Sequence, residues 1–152
     1  MKIYRLHTKQ NLPITLDEAW ELLSDPKNLQ KITPEYMGFK ILSGADRPMF
    51  PGQIIQYIVT PVLNIPTKWV TEITHVVDKK YFVDEQRFGP YKMWHHEHIF
   101  EKIDDNNCKI IDKVSYKLPF GLIGRWGHNL LIKKQLKNIF DYRTKIINTQ
   151  FL

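Results

Sequence analysis

Residues 108–148 read CKIIDKVSYKLPFGLIGRWGHNLLIKKQLKNIFDYRTKIIN, and the hydrophobic period changes inside this stretch. Up to Leu118 the side chains alternate. Lys109, Lys113, Ser115 and Lys117 share one face, while Ile110, Asp112, Val114, Tyr116 and Leu118 share the other. A period of two is that of a strand, and the lysine face must be the solvated one. Asp112 and Tyr116 are therefore expected to point inward among apolar residues. Pro119-Phe120-Gly121 then breaks the strand. From about Leu122 to about Asn148 there is no proline, and the pattern follows about 100° per residue. Ile132, Leu136, Ile139, Phe140, Ile146 and Ile147 cluster on one side, with Lys134, Lys137, Asn138, Asp141, Lys145 and Asn148 opposite. This is a long amphipathic helix whose apolar stripe faces a sheet.

Working back from there, the chain is rich in strand signals between Gly38 and Leu118. Candidate strands are 38–43, 53–60, 67–78, 81–88, 92–103 and 108–118. Pro51-Gly52, Asp78-Lys79-Lys80, Gly89-Pro90 and Asp104-Asp105-Asn106-Asn107 separate them. Such short breaks suit an antiparallel meander rather than crossovers. Strands this long imply a strongly curved sheet. Residues 2–12 alternate loosely and form a first strand. Thr15-Leu16-Asp17-Glu18 is a capping box, followed by the stripe Ala19, Trp20, Leu22 and Leu23. Asp25-Pro26 opens a second short helix that ends before Thr33-Pro34. The expected architecture is α+β: a curved antiparallel sheet of about seven strands around a long C-terminal helix, with two short helices after strand one.

Composition bounds the function. The 152 residues, 43% hydrophobic and 25% charged, suit one globular domain with a real core. Cys108 stands alone, so no intrachain disulfide forms, as fits a reducing compartment. The N-terminus has no apolar signal region, and no apolar run approaches the length of a membrane span. A cytoplasmic protein with no stable membrane insertion is expected. The net charge is +6, but the 22 basic residues are scattered and form no recognition helix or basic block. Nucleic acid is therefore not an expected partner.

The chemistry-bearing residues converge on one wall. Residues 93–100, MWHHEHIF, place Trp94, His96, His98 and Phe100 on one strand face. Met93, His95, Glu97 and Ile99 take the other. An indole, two imidazoles and a phenyl ring on one face suit a pocket better than solvent or a dry core. In the strand 81–88, Phe82, Asp84, Gln86 and Phe88 share one face, with Asp84 and Gln86 expected inside and Glu85 and Arg87 paired outside. Arg143 sits in the middle of the apolar helix stripe. A guanidinium there needs an anion, and Asp112 and Asp84 are the inward acids nearest to hand. Arg143 either makes a buried ion pair that fixes helix on sheet or binds a ligand carboxylate. Trp69, Tyr57, Leu136, Phe140 and Trp126 complete candidate cavity walls for a flat or acyl ligand. Gly121, Gly124 and Gly127 around Trp126 suggest a lid, or simply close packing at the helix start.

Two further chemistries fit the same face. His96 and His98 at i, i+2 can reach one metal, with Asp84, Asp112 or His75 as a third ligand, but spacing fixes none of these and no metal or other cofactor is assigned. His96, His98, Asp112 and Tyr116 are also candidate acid–base groups for an enolisable substrate. The plainer expectation is that the histidines satisfy the buried acids in a hydrogen-bond network.

Several local motifs also resemble one known superfamily. They are Phe82-Val83-Asp84-Glu85-Gln86, Gly89-Pro90-Tyr91, Trp94-x-His96-x-His98-x-Phe100, then Asp112, Tyr116, Pro119-Phe120-Gly121 and Phe140-x-Tyr142-Arg143. Together they resemble the START-like (SRPBCC) superfamily. That is the helix-grip fold of polyketide cyclases, plant pathogenesis-related allergens and lipid-transfer domains. Within it, the chain looks like a group of small bacterial ligand-binding domains. The resemblance spans nearly the whole chain and implies one ligand-binding domain over 1–152. The superfamily holds enzymes, carriers and sensors, so the resemblance implies a fold more than a reaction. The expected function is binding of a small hydrophobic or amphipathic molecule, lipid-like or aromatic, between sheet and helix. A cyclase or dehydratase using the same pocket is the alternative. No protein partner is legible.

Overall fold

The computed structural model describes residues 2–60, 65–119 and 131–151. The strands are β1 (Tyr4–Leu12), β2 (Lys40–Ser43), β3 (Gln53–Val59), β4 (Thr67–Val77), β5 (Tyr81–Phe88), β6 (Met93–Lys102) and β7 (Cys108–Lys117). They form one antiparallel sheet in the order β1-β7-β6-β5-β4-β3-β2. β2 to β7 are a meander, as their short connections require, and β1 returns to pair with β7. The eleven-residue β4 shifts register against β5 at Val70/Thr71 and again at Ile73/His75. Each irregularity bends the strand and increases its twist, so the sheet curves enough to enclose a helix.

Between β1 and β2, α1 (Leu16–Leu23) begins at the capping box. The Glu18 amide donates to Thr15 Oγ1 at 3.2 Å, and the Thr15 amide donates to Glu18 Oε2 at 2.8 Å. Ala19 and Leu23 are the residues α1 buries. The expected second helix proves to be a 3-10 turn, Pro26–Gln30, started by the Lys27 amide on Asp25 Oδ1 at 2.9 Å. A further 3-10 turn, Glu35–Met37, follows Pro34, beyond the point where the sequence pattern stops. It closes at Gly38, whose φ of +52° lies in the left-handed region where glycine carries no Cβ penalty. Short segments bounded by prolines have no room for α-helical propagation, so each ends as a single tight turn.

The long helix α2 (Lys133–Phe151) lies against the sheet. Its apolar stripe is turned inward: Leu136, Phe140 and Ile147 are buried, while Lys134, Lys137, Asp141 and Lys145 are exposed. Gln10 on β1 pins its far end, donating from Nε2 to the Thr144 carbonyl at 3.1 Å and to Asn148 Oδ1 at 2.9 Å. Phe120, Gly121, Gly124, Trp126 and Gly127, with the expected lid and helix start, lie outside the described residues. Among the described residues, no helix is long and apolar enough to cross a membrane.

Two apolar clusters result. Leu12, Ile14, Ala19, Leu23, Phe82, Phe100, Ile110 and Ile147 pack beneath α1. Val59, Trp69, Tyr91, Val114, Tyr116, Leu136 and Phe140 pack at the other end. Along β6, Phe100 belongs to the first cluster and Trp94 packs on the second. His98 and His96 fall between them, so alternation along one strand places two imidazoles at the junction of two cores.

Candidate functional site

The register of three strands assembles the polar group. Asp84 on β5 pairs with His96 on β6, and His98 on β6 pairs with Asp112 on β7. All four side chains therefore stand on the inner face. His96, His98 and Asp112 are 4–6% exposed, deep enough that each charge needs a partner. His98 Nε2 donates to Asp84 Oδ2 at 2.7 Å, and His98 Nδ1 lies 3.1 Å from Asp112 Oδ1. His96 Nε2 donates to the same Asp112 Oδ1 at 2.9 Å. His96 Nδ1 lies 3.5 Å from Asp84 Oδ2. The Arg143 Nη1 donates to Asp112 Oδ1 at 3.3 Å from the helix above. The rings reinforce this arrangement. His98 stacks on Phe82 with centroids 4.1 Å apart, and His96 lies 3.7 Å from His98.

Protonation follows from these contacts. Burial raises the Asp112 carboxyl, but hydrogen bonds from His96 and His98 and the charge of Arg143 outweigh it, holding the group well below the usual carboxylate range. Burial opposes ionisation of Asp84 too, and the interactions with His96, His98 and Arg143 again leave it lowered. Burial lowers His98, yet its bonds to two carboxylates raise it overall. An ionised carboxylate only accepts, so His98, close to one through each nitrogen at 2.7 and 3.1 Å, favours the imidazolium, whereas His96 makes only one such close contact, at 2.9 Å. Burial and the neighbouring His98 lower His96, which stays neutral. Two carboxylates, one imidazolium and one guanidinium cancel. The cluster is a charge-balanced wall.

Above this wall is a cavity of about 150 Å³ between sheet and α2. Asp84, His96, His98 and Arg143 face it on one side. Trp69, Trp94, Leu136 and Phe140, expected as walls, are walls. Four other candidates stand elsewhere. Asp112 lies behind the histidines and orients them. Tyr116 is buried in the aromatic cluster, stacked on Tyr4 at 5.6 Å, and burial pushes its phenol up to about 12, so it stays protonated. Phe100 packs against Trp20 at 5.1 Å in the core below the cavity. Gln86 clasps the backbone of Tyr91, donating from Nε2 to the Tyr91 carbonyl at 2.6 Å and accepting from the Tyr91 amide at 3.1 Å. That clasp needs glycine at position 89, because a Cβ there would meet Gln86 Oε1 at 2.6 Å. Gln86 thus sets Tyr91 into the cavity wall without joining it. His75 is exposed and hydrogen-bonded to its neighbour Thr74 at 3.0 Å, and among the described residues the third ligand atom that falls beside His96 and His98 is that of Asp84.

The sequence reading missed the wall built by Leu29 and Met37 from the two 3-10 turns, by Ile32 between them, and by Met49 from the segment before β3.

No family model and no curated protein matches the chain by sequence. Solved structures match it over nearly its full length. A protein of Thermus thermophilus superposes with a TM-score of 0.71 at 11% identity, covering 97% of this chain and 97% of that one. A START superfamily protein from Mycobacterium smegmatis gives 0.70 at 10% identity, covering 97% and 96%. A point mutant of norcoclaurine synthase from Thalictrum flavum, in complex with a transition-state analogue, gives 0.68 at 14% identity, covering 96% and 94%. Identities this low carry the likeness as far as the fold. A seven-stranded antiparallel sheet curved around a long C-terminal helix, matched end to end by these structures, is the helix-grip fold, shared with that START superfamily protein.

Proposed function

We propose that the protein binds a small hydrophobic or amphipathic molecule, without covalent chemistry, in the cavity between sheet and α2. The observation that carries this is the cavity itself: about 150 Å³, walled mainly by aliphatic and aromatic side chains, with one polar end. Apolar cavities of about 150 Å³ in other proteins take up benzene. A ligand of one or two rings therefore suits this space better than a full acyl chain. The polar end selects among such ligands. Its charges already cancel and Arg143 is bonded to Asp112, so a hydroxyl, phenol or carbonyl fits better than a carboxylate. The Trp69 indole N–H supports the same reading. It is buried, it lacks an acceptor among the described residues, and its ring lines the cavity.

A second reading is an acid–base enzyme of cyclase or dehydratase type. It is favoured by the His98–Asp84 hydrogen bond at the cavity wall. Norcoclaurine synthase has this fold and is named as an enzyme.

One experiment separates the two readings. Freshly purified protein is examined by native mass spectrometry, and the recovered small molecules are identified after incubation with a ring-compound library. Carriage predicts one ligand per chain, returned unchanged. Product formation that disappears in His98→Ala, with folding intact, would replace carriage by catalysis. No retained mass from any part of the library would contradict both.

A further inference from the structure

The carboxylates hold the two histidines in an arrangement that ligand binding does not require. Each imidazole presents one nitrogen to Asp84 and the other to Asp112. His96 Nδ1 and His98 Nε2 lie 3.5 and 2.7 Å from Asp84 Oδ2. The opposite nitrogens, His96 Nε2 and His98 Nδ1, lie 2.9 and 3.1 Å from Asp112 Oδ1. We propose that His96, His98 and Asp84 form a site for one divalent transition-metal ion at the polar end of the cavity. This goes beyond the ligand-binding reading and does not rest on it.

The geometry supports it in three ways. One ligand atom from each of the three residues lies within 4.8 Å of the other two. For metal–ligand distances of about 2.0–2.1 Å, the edges of a coordination tetrahedron are about 3.3 Å. The 3.5 Å edge already fits, and the 2.7 Å edge must open by roughly half an ångström. Second, Asp112 is where a supporting carboxylate belongs. Metal-bound histidines commonly donate their second N–H to an acid that fixes ring orientation. Asp112 does this for both rings, and Arg143 at 3.3 Å anchors it in that role. Third, Asp84, His96 and His98 all line the cavity and Asp112 does not. The remaining coordination position therefore opens toward the space where a ligand or water would sit. Two imidazoles and one carboxylate suit zinc, cobalt or ferrous iron, whereas magnesium and calcium prefer all-oxygen shells.

The test uses the full-length chain stripped with a chelator and titrated with Co²⁺, then with Zn²⁺. The expected result is one Co²⁺ per chain with visible d–d absorption, displaced by Zn²⁺. Asp84→Asn and His98→Ala are expected to weaken binding at least tenfold, and Asp112→Asn by about 10–100-fold. His75→Ala, on the outer surface, is expected to leave it unchanged. Circular dichroism checks that each variant is folded. The wild-type cobalt spectrum bears on the site even if a variant fails to fold. No stoichiometric Co²⁺ or Zn²⁺ uptake would overturn the proposal. So would uptake unaltered in folded Asp84→Asn and His98→Ala, or uptake abolished by His75→Ala.

Discussion

Asp112→Ala is expected to destabilise the fold by about 3–5 kcal/mol, the cost of breaking a buried ion pair from one side. Asp112 is 6% exposed, and its Oδ1 meets His96, His98 and Arg143 at 2.9, 3.1 and 3.3 Å. Without it, the imidazolium and guanidinium remain buried with Asp84 as the one anion of the cluster. Asp112→Asn keeps the shape but loses the charge and turns a donor toward donors, so it is expected to fall between alanine and wild type. Adding Arg143→Met to Asp112→Asn should recover part of the loss, since replacing a whole buried pair by apolar groups is often nearly neutral. Residues in direct contact typically couple by about 0.5–3 kcal/mol. Urea denaturation of wild type, Asp112→Ala, Asp112→Asn, Arg143→Met and the double variant measures each quantity. Additive losses would mean that Arg143 and Asp112 do not meet. By contrast, the exposed Lys137–Asp141 pair on α2 should matter little when removed.

Leu136→Trp is expected to reduce ligand affinity by more than tenfold, about 1.4 kcal/mol, while leaving the protein folded. Leu136 is 5% exposed and lines the cavity from α2. An indole added to a close-packed interior costs about 1–3 kcal/mol in strain. Here the cavity offers space for it, so the loss of stability should fall below that range. The paired outcome is informative. Lost binding with small destabilisation indicates a filled cavity, whereas large destabilisation indicates a packed core. Calorimetric titration and denaturation on the same variant give both numbers.

The fold was legible because its two periods are clean. Lysine on alternate positions of 109–117 left Asp112 and Tyr116 with one direction to face, and both are buried. Arg143 in an apolar stripe demanded an acid, and Asp112 supplies it. Alternation reports a face, however, and not what lies opposite it. Gln86 shares a face with Asp84, yet its partner is the backbone of Tyr91 and it does not line the cavity, while Phe88, of the same alternation, is 64% exposed beyond the register shift at Val70/Thr71. Phe100 shares a face with His98 and lies one core away. His75 follows a register shift in β4, and such irregularities reset which side a residue takes. The Leu29, Ile32 and Met37 wall was hidden for another reason. Single 3-10 turns are too short to carry a period, and tertiary packing alone sets where they lie.

The most direct test of ligand binding follows the methyl signals of the labelled protein during titration with benzene and then phenol. Saturable shifts confined to cavity-lining methyls, Ile55, Val59, Ile73, Leu136 and Ile139 among them, are the predicted result, with phenol binding more tightly because its hydroxyl reaches the polar end. Shifts that never saturate, or that spread over surface methyls while these five stay fixed, would contradict a ligand site between sheet and helix.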